Sequence, residues 1–246
     1  MSMVDVEPRA TAGQRFRAYA VHVYTACGVG FAFLAAAEMC RPRPDVRLVF
    51  LLFAGATLVD ATDGPFARMW QVKRFAPNID GRKIDDIVDY LTFTFLPLLL
   101  VWRMEWVPEP GAAWIIPALI ASLFGFANED AKDEEGGFFL GFPSYWNVVA
   151  LYAGIAYHFH GPMLNGVLLL ILTVLTIAPV KFIYPNLAPR PWRIPVLAGA
   201  FVWLGVLIVM TYQFPHVSGW LVLVSLSYPI FYTVLSAYLA RRRPGP

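Results

Sequence analysis

The 246-residue sequence is poor in charge, since Asp, Glu, Lys and Arg make up only 15% of it. A typical soluble domain has about 25%. Cysteine is scarcer still: Cys27 and Cys40 alone provide no disulfide framework and no metal-ligand spacing. Internal repeats and Pro/Gly/Ser-rich linkers are missing too, so we expect one domain over residues 1–246. Residues 1–18 lack the apolar core of a signal peptide, and we expect them to form a juxtamembrane segment.

Apolar residues are abundant instead, at 58% of the chain with a mean hydropathy of +0.57. A membrane-spanning helix needs about 20 mostly apolar residues, and the sequence has several such stretches. The predicted fold is therefore an all-α, polytopic membrane helical bundle with about eight transmembrane helices. The predicted spans are Tyr19–Met39, Val46–Arg68, Ile84–Val101, Ala112–Phe126, Tyr145–His158, Leu164–Val180, Ile194–Tyr212 and Trp220–Leu239.

The basic residues orient this predicted bundle. If both ends of an eight-span chain lie in the cytoplasm, 15 of the 19 Lys and Arg residues fall on the cytoplasmic side. Basic residues near span ends favour that side. We therefore expect cytoplasmic termini in a bacterial inner membrane, with the loops 69–83, 127–144 and 181–193 on the cytoplasmic face. The Arg241–Arg243 run then helps to set the topology, and we expect no nucleic-acid partner.

Acidic residues interrupt two of the apolar spans. Asp60 and Asp63 lie in the second span, and a spacing of three puts them on one helix face. Asp85 and Asp89 open the third span and share a face at a spacing of four, while Asp86 is expected to point elsewhere. A short loop joins the two spans. We therefore expect the two helix ends to bring four carboxylates together.

Four neighbouring carboxylates repel one another, and a hard divalent cation with oxygen ligands relieves that repulsion. Mg²⁺ in proteins often completes its coordination with substrate phosphates. The cluster therefore predicts Mg²⁺ or Mn²⁺ together with a phosphate-bearing substrate. A cation channel, a transporter site and a structural salt-bridge cluster are the alternatives. Gly64, Ala67 and Arg68, which follow the first two acids, favour the substrate site.

These residues resemble the signature of the CDP-alcohol phosphotransferase family, D-x2-D-G-x2-A-R followed by G-x3-D-x3-D. All eight positions are matched. They are Asp60, Asp63, Gly64, Ala67, Arg68, Gly81, Asp85 and Asp89. The gap of twelve residues between Arg68 and Gly81 is longer than usual in the family. It is similar to the branch that joins CDP-diacylglycerol to free choline, and the stretches 22–28, 79–93 and 138–147 resemble that branch too.

The resemblance implies a metal-dependent transfer of the phosphatidyl group to choline, which yields phosphatidylcholine and CMP. It implies that Asp60, Asp63, Asp85 and Asp89 hold the metal and that Asp89 also acts as general base. The implied contacts to the CDP portion are Thr25, Asp60, Asp63, Gly64, Ala67, Arg68 and Gly81. A homodimer is implied by analogy.

Other acceptors stay open at this point: serine, glycerol phosphate, inositol or inositol phosphate. A phosphorylated acceptor would need an extra basic pocket, which Lys181, Arg190 and Arg193 could form. Choline is a quaternary ammonium, which proteins hold with aromatic faces. The choline contacts predicted from segment 128–147 are Glu129, Asp130, Tyr145 and Trp146. The alternative for the two aromatic residues is interfacial anchoring.

Overall fold

The computed structural model describes residues 10–128, 132–133 and 136–242 of the chain. Most of these residues are helical. The helices are α1 (Ala12–Ala26), α2 (Gly28–Met39), α3 (Val46–Met69), α4 (Val72–Phe75), α5 (Gly81–Asp89), α6 (Leu96–Arg103), α7 (Ala112–Ala127), α8 (Trp146–His160), α9 (Pro162–Ile177), α10 (Arg193–Gln213) and α11 (Gly219–Arg242). A π-helical segment at Tyr90–Phe95 joins α5 to α6, and Pro185–Leu187 form a short 3₁₀ turn. Each predicted span overlaps one helix or one run of consecutive helices.

Three stretches of helix are long and apolar enough to cross a membrane: Ala12–Met39, α10 and α11. Their large apolar side chains point outward; Phe201 and Trp220, for example, are each 75% exposed. Soluble monomers rarely expose contiguous apolar surface on this scale, whereas lipid covers it at no cost. The prediction of a mostly helical membrane protein is confirmed at this level.

Polar caps set where the helices that carry the acids begin. Asp45 precedes α3, and its carboxylate accepts from the backbone N–H of Arg47 at 3.0 Å and of Leu48 at 3.3 Å. Asp80 precedes α5 and accepts from the N–H of Lys83 at 3.4 Å. Such caps satisfy N–H groups that have no partner within the helix. They fix the first turn of α5, and Asp85 and Asp89 project from its later turns.

The long gap in the sequence signature has a structural counterpart in α4. This single helical turn lies between α3 and α5, and its Val72 is buried with Ala76 against Ala18 and Val21 of α1. Helix α1 also packs on both α3 and α5. The extra residues therefore form a small apolar contact that ties the two acid-bearing helices to the first one.

The main core lies further along the bundle. Phe50, Trp106 and Phe214 are buried there in mutual ring contact, with centroids 5.5–6.4 Å apart. Phe50 precedes Asp60 by ten residues on α3, which corresponds to about 15 Å at 1.5 Å per residue. The rigid aromatic core is thus separated from the carboxylates along α3.

The all-α prediction needs one correction. Short strands β1 (Lys132–Asp133), β2 (Phe138–Leu140) and β3 (Lys181–Ile183) form an antiparallel sheet in the order β1-β2-β3. Phe139 lies opposite Phe182, and Leu140 lies opposite Lys181. Strands of two or three residues are too short to produce a readable alternation of apolar and polar residues. Their pairing depends instead on two loops that the helices bring together.

Candidate active site

The carboxylates meet where α3 and α5 converge. One carboxylate oxygen from each of Asp60, Asp85 and Asp89 lies within 4.8 Å of the other two. Asp63 is buried and lines the same cavity, but it does not belong to this group of three. The structure therefore brings three of the four predicted metal ligands together and places the fourth in the same wall.

The chemistry of this group fits a hard divalent cation. Carboxylate oxygens are the ligands that Mg²⁺ and similar ions prefer. The Oδ1 atom of Asp89 is buried and accepts no hydrogen bond from any described residue. A buried carboxylate oxygen without a partner is costly, and a bound cation would remove that cost. The residues that could hold the ion are Asp60, Asp85 and Asp89, with Asp63 in reach of a substrate or a second ion.

The cavity around these acids has a volume of about 410 Å³. Arg68 and Arg82 are the basic residues among its described lining. The Nη1 atom of Arg68 lies 3.5 Å from the point where a Cβ on Gly64 would be, so the guanidinium folds back over Gly64. Asp86 lines the cavity too, contrary to the expectation that it points elsewhere, and lies 3.8 Å from the Nε of Arg82. The site therefore combines acids with fixed cations that suit phosphate oxygens.

The predicted CDP contacts divide into two groups. Gly64 and Arg68 line the cavity with Asp60 and Asp63, whereas Thr25, Ala67 and Gly81 are not among its described lining residues. The Thr25 hydroxyl donates to the Val21 carbonyl of its own helix at 3.3 Å. A Cβ on Gly81 would lie 2.8 Å from the His22 ring, so this glycine lets α1 and α5 approach closely. Contact of these three residues with CDP stays a prediction.

Aromatic residues make up a large part of the remaining cavity wall. Its aromatic residues are Phe93, Phe126, Phe139, Phe142, Tyr145 and Tyr184. Tyr145 was predicted to contact choline, and its ring is 42% exposed. Trp146, also predicted, is fully buried and donates from Nε1 to the Ser122 hydroxyl at 2.7 Å. Its position is that of a packing residue, and its contact with choline stays a prediction; Glu129 and Asp130 lie outside the described residues.

Tyr184 is one of the cavity residues that sequence reasoning missed, with Phe93 and Phe126. It follows β3, more than ninety residues away from the aspartates in the sequence, and the predicted bundle offered no reason to connect that loop with them. The run from Lys181 to Pro185 does carry a signal, because two aromatic residues, Phe182 and Tyr184, are unusual in an exposed connection between helices.

Gly141 sets the backbone conformation between Phe139 and Phe142, which both line the cavity. Its φ of +88° is a conformation that side-chain-bearing residues rarely adopt, and a Cβ there would collide with the Thr176 carbonyl oxygen. We expect Gly141→Ala to lower the free energy of unfolding by about 2–3 kcal/mol, measured by thermal unfolding in detergent. Gly30→Ala is the matched control, since nothing lies within 4 Å of a Cβ at that position. A loss below about 0.5 kcal/mol, as for an ordinary surface change, would contradict this role for Gly141.

The fold and the cavity define an integral membrane protein with an acidic, aromatic-lined ligand site. No family model matches the chain. The phosphatidylcholine synthase of Pseudomonas aeruginosa is 37% identical over 197 residues, which cover 78% of this chain and 80% of that protein. Those of Legionella pneumophila and Borreliella burgdorferi are 35% and 31% identical, over 75% and 69% of this chain and 71% and 70% of their own lengths.

At this identity and coverage, the chain belongs to the phosphatidylcholine synthase family. The prediction of a membrane enzyme of phospholipid synthesis is thereby confirmed at the level of the family.

Proposed function

We propose that the chain transfers the phosphatidyl group of CDP-diacylglycerol to free choline, with release of CMP. The observation that carries the proposal is the convergence of Asp60, Asp85 and Asp89 in a cavity that six aromatic residues also line. An acidic group suits a cation that grips a pyrophosphate, and aromatic faces suit a quaternary ammonium. Both substrates therefore find complementary surfaces within one cavity.

A divalent cation on the aspartates, when bound, neutralises charge on the pyrophosphate and on the departing CMP. Arg68 adds a fixed positive charge beside the same phosphates, since its guanidinium lies over Gly64 at the cavity wall. Asp63 lies one helical turn from Asp60 and is available to the ribose or to a second ion. Tests of this proposal include measuring whether Mg²⁺ or Mn²⁺ is preferred and how many ions bind.

Asp89 is the proposed general base. Its buried, unpartnered oxygen can accept the proton of the choline hydroxyl. The choline oxygen then forms a bond to the phosphorus that carries the diacylglycerol, and the bond from that phosphorus to the CMP oxygen breaks. The proton rests on Asp89 until solvent removes it. The cavity wall includes exposed positions of α3 such as Ala61 and Pro65, so the cavity is open at the helix surface. The acyl chains can therefore stay in the bilayer while the pyrophosphate occupies the cavity.

A phosphorylated acceptor is the main alternative within the enzyme class. The residues that could form the extra basic pocket it would need are Lys181, Arg190 and Arg193, and these are not among the described residues that line the cavity. Arg68 and Arg82 lie with the aspartates, where the pyrophosphate is placed. The aromatic wall thus favours choline over glycerol phosphate or inositol phosphate.

The topology belongs to the same proposal: eight spans, cytoplasmic termini and a cavity that opens to the cytoplasm of a bacterial inner membrane. Support comes from the eight helices or helix runs that match the predicted spans, and from the concentration of Lys and Arg on one side. The homodimer that the family resemblance implies stays a prediction.

The deciding experiment is an acceptor panel with purified protein in detergent–lipid micelles. CDP-diacylglycerol, Mn²⁺ and one alcohol at a time are supplied, and both CMP and the lipid product are quantified. Choline should give phosphatidylcholine with a kcat/KM far above those for serine, glycerol phosphate and inositol. If CMP is released only with another alcohol, that alcohol and not choline is the acceptor. If CMP is released with none of them, the transporter alternative is favoured.

A further inference from the structure

Two aromatic rings from separate segments of the chain meet in the wall of the carboxylate cavity. Phe139 in β2 and Tyr184 just after β3 have ring centroids 4.4 Å apart, with an interplanar angle of 35°. In the register of the sheet, Phe139 lies opposite Phe182, so that Tyr184 is its diagonal neighbour on the same face. Both rings line the cavity that holds Asp60, Asp85 and Asp89. The small sheet therefore presents an aromatic pair to the reacting centre.

The last helix holds this pair in place. Both backbone groups of the fully buried Ile183 bond to α11: its N–H donates to the Ser236 hydroxyl at 3.1 Å, and its carbonyl accepts from the Tyr232 hydroxyl at 2.6 Å. The next residue, Tyr184, donates its own N–H to the Gly137 carbonyl at 2.9 Å, which extends the pairing with β2. The backbone at Tyr184 is thus fixed on one side by α11 and on the other by the β2 loop.

The chemistry of the wall matches a quaternary ammonium. Such a group donates no N–H hydrogen bond, and it is held by aromatic faces within about 6 Å of the ring centre and by nearby negative charge. Here the aromatic pair, the half-exposed Tyr145 and the aspartates surround one cavity. Its described basic residues, Arg68 and Arg82, belong to the acidic side. A positive head group there would therefore meet aromatic faces together with the negative charge of the aspartates.

We propose that Tyr184 and Phe139 are the specificity-determining residues for the choline ammonium, and that Tyr232 and Ser236 are positioning residues that hold them. This inference rests on the proposed transfer to choline. It assigns to the C-terminal helix α11 a part in acceptor selection, although α11 contributes no described residue to the cavity lining itself.

The test compares choline with 3,3-dimethyl-1-butanol, which has the same shape but a carbon in place of the charged nitrogen. We expect Tyr184→Ala and Phe139→Ala each to lower the preference for choline over this alcohol, as the ratio of kcat/KM, by about tenfold or more. Tyr184→Phe should keep the preference, because the ring face remains. The KM for CDP-diacylglycerol should change little in all three variants. Tyr212→Ala, an exposed residue near the end of α10 and away from the cavity, is the control.

The positioning role has its own readout. Ser236→Ala removes the acceptor for the Ile183 N–H and should raise the KM for choline several-fold, with kcat and the KM for CDP-diacylglycerol nearly unchanged; Ser236→Thr should restore it. Tyr232→Phe should act in the same direction. An equal loss of kcat for both alcohols would mean that these residues serve stability alone.

A failure of this inference can be distinguished from a failure of the proposed function. A wild-type protein that makes no product from choline overturns the proposed function. A wild-type protein that uses choline, together with Tyr184→Ala and Phe139→Ala variants that keep the full preference for the charged acceptor, overturns the aromatic assignment only.

Discussion

Replacing Asp89 with asparagine is expected to lower kcat for CMP release by about a thousandfold, within the range that general bases contribute. Asparagine keeps the size of the side chain and can still accept a hydrogen bond, but it cannot take up the choline proton. The KM for CDP-diacylglycerol should change modestly, because Asp60, Asp85 and Arg68, which we propose to act on the pyrophosphate, remain in place. The measurement is steady-state CMP release at saturating choline, with binding of CDP-diacylglycerol measured separately.

Asp80→Asn is the matched control for this substitution. Asp80 undergoes the same isosteric change nine residues earlier, just before α5, and it does not belong to the described cavity lining. Asparagine caps helices about as well as aspartate, so helix α5 and the activity should be preserved. If the Asp89→Asn enzyme turns over at a near-normal rate, Asp89 is not the base.

Removal of the divalent metal is expected to abolish transfer, as the Asp89→Asn substitution does. Three carboxylates whose oxygens lie within 4.8 Å of one another repel in the absence of a cation, and the phosphates of CDP-diacylglycerol would add further negative charge. Protein dialysed against a chelator should lose at least about 99% of its CMP release, as expected if a bound metal supplies several kcal/mol of charge stabilisation. Addition of Mn²⁺ or Mg²⁺ should restore it.

The control for this experiment is the integrity of the metal-free protein. It should elute as the same monodisperse peak and unfold cooperatively at a somewhat lower temperature, because loss of a bound ion lowers stability while the described cores around Trp106, Phe138 and Ala18 do not involve the acids. Full activity in metal-free buffer would show that transfer does not require a divalent cation.

The helical part of the site could be predicted from sequence because its spacings are local. An interval of three or four residues puts Asp85 and Asp89 on one face wherever a helix forms, and a short loop brings Asp60 within reach. The prediction was less good where contacts are distant in the sequence. Tyr184 reaches the cavity only because β3 pairs with β2 and is held by α11, and neither strand is long enough to be recognised.

Side-chain direction was the second limit. Trp146 and Tyr145 are adjacent and both aromatic, but the helix begins between them, so that one ring enters the core and the other lines the cavity. A shift of one residue in the helix start would exchange them, and boundaries are the part of a helix that sequence patterns define least well. Asp86 is a similar case, because the cavity is wide enough to include a residue beside the face shared by Asp85 and Asp89.

The most direct test of the central claim is equilibrium binding of Mn²⁺ to the purified protein. Binding is measured as the decrease in the electron paramagnetic resonance signal of the free ion. The wild-type protein should bind Mn²⁺, and CDP-diacylglycerol should tighten that binding. The Asp60→Asn/Asp85→Asn double variant should lose both effects. Equal Mn²⁺ binding by wild-type protein and double variant, or binding that CDP-diacylglycerol leaves unchanged, would contradict a carboxylate-held ion that grips the pyrophosphate.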